Sequence, residues 1–248
     1  MQRYFVDSII EGKVRISGDD VKHISRVMRM DIDDSIICIS QEKGPFLCKI
    51  TSLSGEEVVA EVMEHIDSNT ELPVNVSIAQ GLAKGDKLDY VIQKGTELGA
   101  YDFFSFTASR SIVKWDQKKA VKKQERLQKI AKEAAEQSYR LKIPEIHPHQ
   151  SFPELLKKMK SFDAVLVAYE EQSKMQENSQ FVNVLTSLKS QQSLLVIIGP
   201  EGGFDETEIQ ALIEHGAITC GLGPRILRTE TASQYVLAAI SYQTELLR

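Results

Sequence analysis

The chain has 248 residues, 42% hydrophobic and 26% charged, with a formal net charge of −5. That is ordinary globular composition with room for one or two domains, and it excludes wholesale disorder. No apolar run approaches the roughly 20 residues that span a membrane, residues 1–7 lack the apolar core of a signal peptide, and Cys38, Cys48 and Cys220 form no CxxC spacing; the reading is a cytoplasmic protein with no membrane association, disulfide framework or metal.

The charge is uneven. Residues 1–72 hold 8 basic and 14 acidic side chains, whereas residues 110–142 hold 11 basic and 4 acidic, a local +7. Such a segment can neutralise phosphates on a mildly acidic protein. It is equally what a solvated lysine-rich helix face looks like.

Residues 1–70 read as β-rich. After a leading strand, residues 20–30 predict a helix with Val21, Ile24, Val27 and Met28 on one face. Lys22, Arg26 and Arg29 fall largely opposite, with His23 beside them. The β-branched run 35–40 and the alternating runs 46–53 and 57–63 predict strands, with Gly44-Pro45 and Ser54-Gly55 as turns. Short strands and tight turns suggest a small barrel or meander. The polar stretch 67–73, ending in Pro73, separates a domain of residues 1–70 from one of residues 73–248.

Beyond the linker the rhythm changes. Predicted strands at 74–80, 103–107, 143–147, 164–169, 194–198 and 217–222 alternate with helices at 86–98, 117–140, 152–159, 181–188, 206–215 and 232–247. That alternation is the α/β pattern of βαβ units around a mostly parallel sheet. Strands buried on both faces read as continuous apolar runs, as Leu194-Leu195-Val196-Ile197-Ile198 does. In the long helix, Val121, Leu127, Ile130, Ala134 and Ala135 supply the apolar positions; the polar stretch 170–180 reads as a loop.

The strongest local signal is Ile197-Ile198-Gly199-Pro200-Glu201-Gly202-Gly203-Phe204-Asp205, a strand feeding a glycine-rich turn and then a helix. Ligands of open α/β sheets bind beyond the carboxyl ends of strands, and glycine permits close backbone approach. Asp205 and Glu208 have capping-box spacing, and Phe204 and Ile209 that of a hydrophobic staple. Neither GxGxxG early in the chain nor GxxxxGK[ST] occurs. Glu201 inside the turn disfavours phosphate and suits a cationic ligand. A second turn follows the next strand, Gly221-Leu222-Gly223-Pro224-Arg225-Ile226-Leu227-Arg228-Thr229-Glu230. Arg228 and Glu230 are pocket candidates there, or a surface ion pair of little consequence. Arg110, Lys114 and Trp115 form a basic and aromatic group of the kind that contacts RNA, although a lone Trp is more often a packing residue. His147 and His149 read as surface histidines beside Pro148.

Taken together, these pieces resemble the RsmE family of bacterial methyltransferases, which act on N3 of a uridine in 16S ribosomal RNA. The motifs are Gln2-Arg3-Tyr4-Phe5, His23-Ile24-Ser25-Arg26-Val27-Met28-Arg29, Lys94-Gly95-Thr96-Glu97-Leu98-Gly99, Glu133-Ala134-Ala135-Glu136-Gln137-Ser138, Gly199-Pro200-Glu201-Gly202-Gly203 and residues 222–232, in that order along the whole chain. The resemblance implies a PUA-like RNA-binding β-barrel followed by a SPOUT-class domain, a parallel sheet whose last segment threads a trefoil knot, which ordinary topology rules do not anticipate. It also implies a homodimer, S-adenosylmethionine as methyl donor and the small ribosomal subunit as partner. The donor is then expected against Gly199, Gly203, Leu222, Gly223 and Leu227, with Ile198 and Ile226 along its adenine.

Methyl transfer to uridine N3 needs in-line positioning and stabilisation of the charge left by the departing imino proton. Arg228 is the first candidate for that stabilisation and Arg140 the second, with Glu230 as proton acceptor or donor-orienting group. Lys22, Arg26, Arg29, Arg110, Lys114 and Lys118 are the expected phosphate contacts, which set affinity and position rather than sequence. The rivals are a SPOUT-class methyltransferase acting on transfer RNA, a non-catalytic RNA-binding assembly factor and, more remotely, a nicotinamide oxidoreductase.

Overall fold

The computed structural model describes residues 1–174 and 179–247. The chain divides into two units, Met1–Glu71 with Ala135–Lys142, and Leu72–Ala134 with Ile143–Arg248. Chain order alone places residues 135–142 in the second domain. The structure groups them with the first because the Glu71 carboxylate binds the Arg140 guanidinium and accepts the backbone N–H groups of Leu141 (2.8 Å) and Lys142 (3.3 Å). Thr70 Oγ1 donates to the Tyr139 carbonyl at 2.7 Å, and the Arg3 guanidinium lies 4.1 Å from the centre of the Tyr139 ring.

In the first unit, alternation of apolar and polar residues builds β1 (Arg3–Val6), β2 (Ile9–Ile10), β3 (Lys13–Ser17), β4 (Ser35–Ser40), β5 (Gly44–Leu53) and β6 (Glu57–His65). They form one six-stranded sheet in the order β1-β4-β5-β6-β3-β2. The β1–β4 pair is parallel and the others antiparallel. Register shifts at Leu47/Cys48 and Ile50/Ser52 mark bulges in the β5–β6 pair, and bulges bend a sheet. The sheet curls into a half-barrel around Tyr4, Val14, Ile16, Ile36, Ile50 and Val58. Cys38 and Cys48 are buried there as free thiols.

Two expectations change. Gly44 and Pro45 open β5 instead of forming the turn, which falls on residues 41–43; a proline is tolerated at the start of a strand. The helix expected at 20–30 is one turn, α1 (Asp19–Lys22), running into a wider π-type turn at His23–Val27. The Met28 N–H bonds to the His23 carbonyl at 2.9 Å, five residues back. The extra residue per turn breaks the 3.6-residue rhythm, so Val21 and Ile24 are buried whereas Val27 is 65% exposed.

In the second unit, β7 (Asn75–Gly81), β8 (Asp102–Thr107), β9 (Glu145–Ile146), β10 (Gln150–Ser151), β11 (Ala164–Ala168), β12 (Ser193–Ile198) and β13 (Ile218–Cys220) pair in parallel. Their order is β10-β8-β7-β12-β11-β13, with β9 also on β8. Between them run α2 (Lys87–Glu97), α3 (Gln117–Gln137), α4 (Phe152–Lys158), α5 (Glu170–Lys174), α6 (Ser179–Ser187), α7 (Glu206–Glu214) and α8 (Thr229–Ser241). Both sheet faces are covered. Leu194, Val196 and Ile198 of β12 join one buried cluster with α2, α6 and α8, and Leu195 and Ile197 join another with α4 and α7. Two-sided burial explains the unbroken apolar run. The loop expected at 170–180 is helical at both ends, in α5 and at the start of α6; residues 175–178 lie outside the described residues. Val121 of α3 is exposed, whereas Leu127, Ala134 and Ala135 are buried. Among the described residues no helix is long and apolar enough to cross a membrane.

Candidate active site

Strand order reverses between β7 and β12, the position where open α/β sheets bind ligands. The turn after β12 is fixed from several directions. Its exit is the expected capping box: Asp205 Oδ1 accepts the Glu208 N–H at 2.8 Å, and Glu208 Oε2 accepts the Asp205 N–H at 3.2 Å. Phe204 and Ile209 share one buried cluster, as a hydrophobic staple requires. Ser109 locks the cap from outside, its hydroxyl donating to Asp205 at 2.6 Å and its N–H to Glu208 at 2.8 Å. The Ser109 and Thr207 hydroxyls and the Glu208 N–H hold Asp205 down at about 2. Gly203 adopts φ +67°, a left-handed conformation costly for other residues.

The acid in this turn is also held. Glu201 Oε1 accepts the Lys84 N–H at 2.8 Å and the Lys87 ammonium at 3.0 Å. Burial pushes the Glu201 carboxyl up, but the Lys84 N–H and Lys87 outweigh it and leave the group below the usual carboxylate range. The same ammonium lies 3.8 Å from Glu230 Oε2. That oxygen is buried and has no hydrogen-bond partner among the described residues.

These groups surround a cavity of about 400 Å³, within the size range of small-molecule sites. Ile198, Gly199, Gly203, Leu222, Ile226 and Leu227, all expected at the donor site, line it together with Arg228 and Glu230. Gly223 is not among the lining residues; it follows Leu222 with φ +93°. Arg140 is not among them either. It is 2% exposed, and its guanidinium is engaged by Glu71. Lys87 lines the cavity and was not singled out from the sequence. It lies just past the carboxyl end of β7, where the switch-point rule points, but no glycine-rich motif marks it.

Of the expected RNA contacts, Arg110 belongs to the cavity's surroundings. Its guanidinium donates to the Gly202 carbonyl at 3.3 Å. Lys114 and Lys118 are exposed in the same unit, and Lys22, Arg26 and Arg29 are exposed on the first. Trp115 is half-buried and packs against the core and His149. The two histidines are not surface groups. His149 bridges the Ser105 and Thr107 hydroxyls at 3.0 and 2.9 Å, and burial lowers its pKa. His147 stacks on Phe104 with ring centres 4.1 Å apart and lies 3.3 Å from Asp102.

The chain matches the RNA methyltransferase domain family over residues 70–241 and the RNA methyltransferase PUA domain family over residues 16–63. It is 54% identical to the ribosomal RNA small subunit methyltransferase E of Bacillus subtilis, an alignment covering 100% of this chain and 99% of the relative. The chain belongs to the ribosomal RNA small subunit methyltransferase E family. This is the family that the ordered motifs resemble. Among solved structures, the small subunit methyltransferase E of Neisseria gonorrhoeae, bound to S-adenosyl methionine, matches with a TM-score of 0.83 at 27% identity over 97% of both chains. A methyltransferase of Legionella pneumophila, in complex with the cofactor SAM, matches with a TM-score of 0.85 at 26% identity over 96% of both chains. Members of the methyltransferase E family thus share the two-part architecture found here.

Proposed function

We propose that this chain methylates N3 of a uridine in 16S ribosomal RNA, with S-adenosylmethionine as donor, acting as a cytoplasmic homodimer on the small ribosomal subunit. One observation carries the reading: a cavity at the switch point whose two glycine-rich walls are the family motifs and whose acidic side holds Glu201 and Glu230. The lining fits this donor. Ile198, Leu222, Ile226 and Leu227 offer apolar surface for an adenine, and Glu230 Oε2, without a hydrogen-bond partner among the described residues, offers an acceptor beside a cationic ligand. The trefoil threading belongs to the same proposal.

S-adenosylmethionine supplies a methyl group on a sulfonium. The walls orient the reactants for in-line transfer, in which N3 gains the methyl group and loses its proton while the sulfonium becomes a thioether. Glu230 takes that proton at Oε2. Arg228, exposed at the cavity and without an ion pair among the described residues, stabilises the negative charge that spreads to the uracil oxygens. Arg140 is assigned to holding residues 135–142 through Glu71. Arg110 and Lys114 in one unit, and Lys22, Arg26 and Arg29 in the other, bind the phosphate backbone.

The test is transfer of radiolabelled methyl from S-adenosylmethionine to small subunits lacking the modification, to naked 16S RNA and to transfer RNA. Label on N3 of a uridine in the small subunit or its RNA is expected. Label confined to transfer RNA would replace the substrate and keep the methyltransferase; no label and no donor binding would leave an RNA-binding factor.

A further inference from the structure

Gln80 lies near the end of β7, facing α8, and is 1% exposed. Its amide Nε2 donates to Thr229 Oγ1 at 2.7 Å, with the Gly81 and Gly199 carbonyls at 3.3 and 3.4 Å. Thr229 Oγ1 in turn donates its one proton to the Gly199 carbonyl at 2.6 Å. The result is a relay from a central strand, through the first residue of α8, to the first residue of the glycine-rich turn.

The relay acts on the first peptide of the turn, which lacks a hydrogen-bond donor. The peptide after Gly199 belongs to Pro200 and has no N–H. Its carbonyl is therefore its only hydrogen-bonding handle, and Thr229 and Gln80 occupy it. Next to Gln80, Gly81 leaves room for Pro200: a Cβ there would lie 2.5 Å from the Pro200 nitrogen. Gly199 and Thr229 both line the cavity; Gln80 does not.

We propose that Gln80 is a positioning residue of the donor site, fixing the spacing of the two walls through Thr229 without touching the donor. The proposal rests on the donor-binding reading above. Gln80 Oε1 is buried with no hydrogen-bond partner among the described residues, so the amide is held by its N–H₂ side alone. A glutamate of the same shape would lose both donors. It would draw the Thr229 proton to itself and release the Gly199 carbonyl. A buried hydrogen-bonding group that loses its partner is costly, because it forgoes water without replacing it.

The test measures S-adenosylmethionine binding by calorimetry, RNA binding and thermal unfolding for Gln80→Glu, Thr229→Val, Thr229→Ser and the Gln80→Glu/Thr229→Val pair. Gln80→Glu and Thr229→Val are each expected to weaken donor binding by roughly tenfold or more, with RNA affinity held within about twofold. Thr229→Ser, which keeps the hydroxyl, should recover most of the loss seen in Thr229→Val. The double variant should be no worse than the singles, because both break one relay. Donor binding by Gln80→Glu should also improve as the pH is lowered, since a protonated glutamic acid regains a donor. Undiminished donor binding in folded Gln80→Glu and Thr229→Val, or additive losses in the pair, would overturn the proposal. Should Gln80→Glu fail to fold, the Thr229 variants decide it. Absence of donor binding in the unsubstituted protein would instead strike the functional reading beneath it.

Discussion

The two walls of the cavity are both glycine-rich turns that follow parallel strands, yet they are held differently. In the first, residues 199–203, the Gly199 carbonyl, the Glu201 carboxylate and the Gly202 carbonyl each accept a bond from elsewhere in the unit, and Ser109 fastens the cap that follows. In the second, residues 222–228, Arg225 and Arg228 are exposed and have no ion pair or side-chain hydrogen bond among the described residues, and Ile226 is 56% exposed. The first wall is organised before a ligand arrives. In the second, the Arg225 and Arg228 side chains stand exposed toward what enters. Prepaid order of the first kind favours binding, and exposed charged groups of the second kind suit contact with a substrate that is present only during turnover.

Gly81→Ala should break this contrast most severely. The new Cβ would sit 2.5 Å from the Pro200 nitrogen and 2.9 Å from the Gly199 carbonyl carbon, both backbone atoms, so the first wall must lift from β7. Donor affinity should fall by about two orders of magnitude and stability by about 1–3 kcal/mol, the cost of overpacking. Ile226→Ala in the second wall should weaken donor binding by less than about tenfold and leave the melting temperature alone. Calorimetry and thermal unfolding of the pair check this; equal losses would mean the walls are equivalent.

Arg228→Ala sharpens the contrast from the other side. Removing a charge-stabilising group should lower kcat by about 10²–10³, whereas donor Kd should stay within about twofold. Single-turnover rates measured at saturating donor separate the two. A donor affinity that falls along with the rate would move Arg228 from the chemistry to the binding wall.

The difference between the walls was only half legible in the sequence. Local signals read well: Asp205 with Glu208, and Phe204 with Ile209, predicted the cap and staple that the structure contains. The apolar run of β12 announced its two-sided burial. Lys87, Gln80 and Ser109 were not legible, because their roles arise from contacts with residues 90 or more positions away, and an isolated Lys, Gln or Ser has no local signature. The engagement of Arg140 by Glu71 was not legible for the same reason: nothing near Arg140 in sequence points to Glu71. Val27 was expected inside because its spacing is helical, and a single widened turn at His23–Val27 was enough to place it outside.

A smaller effect is expected at the RNA. Lys114→Ala, at an exposed lysine, should reduce the slope of log affinity against log salt by about one if that lysine binds a phosphate, and weaken binding uniformly across RNA sequences. Filter binding across a salt series reads the slope. An unchanged slope would remove Lys114 from the phosphate contacts and leave Arg110, already tied to Gly202, as the neighbouring candidate.

The least disruptive change is Asp205→Ala, which loosens the exit of the first wall and nothing in the second. Asp205 is held at about 2 in the folded chain against an ordinary 3.8, by the Ser109 hydroxyl first and then by Thr207 and the Glu208 N–H. A depressed carboxylate contributes its stabilisation fully above its unfolded value and loses it as the pH falls through the folded one. The variant should therefore unfold at a lower urea midpoint than the unsubstituted protein at neutral pH. That gap should close between about pH 4 and pH 2, where the native carboxylate takes up its proton. Because the group is only partly buried the gap will be small, and donor affinity should hardly move, since Glu201 and Gly199 keep their own anchors. A gap that widened in acid would show that the cap is held by something other than the Asp205 charge.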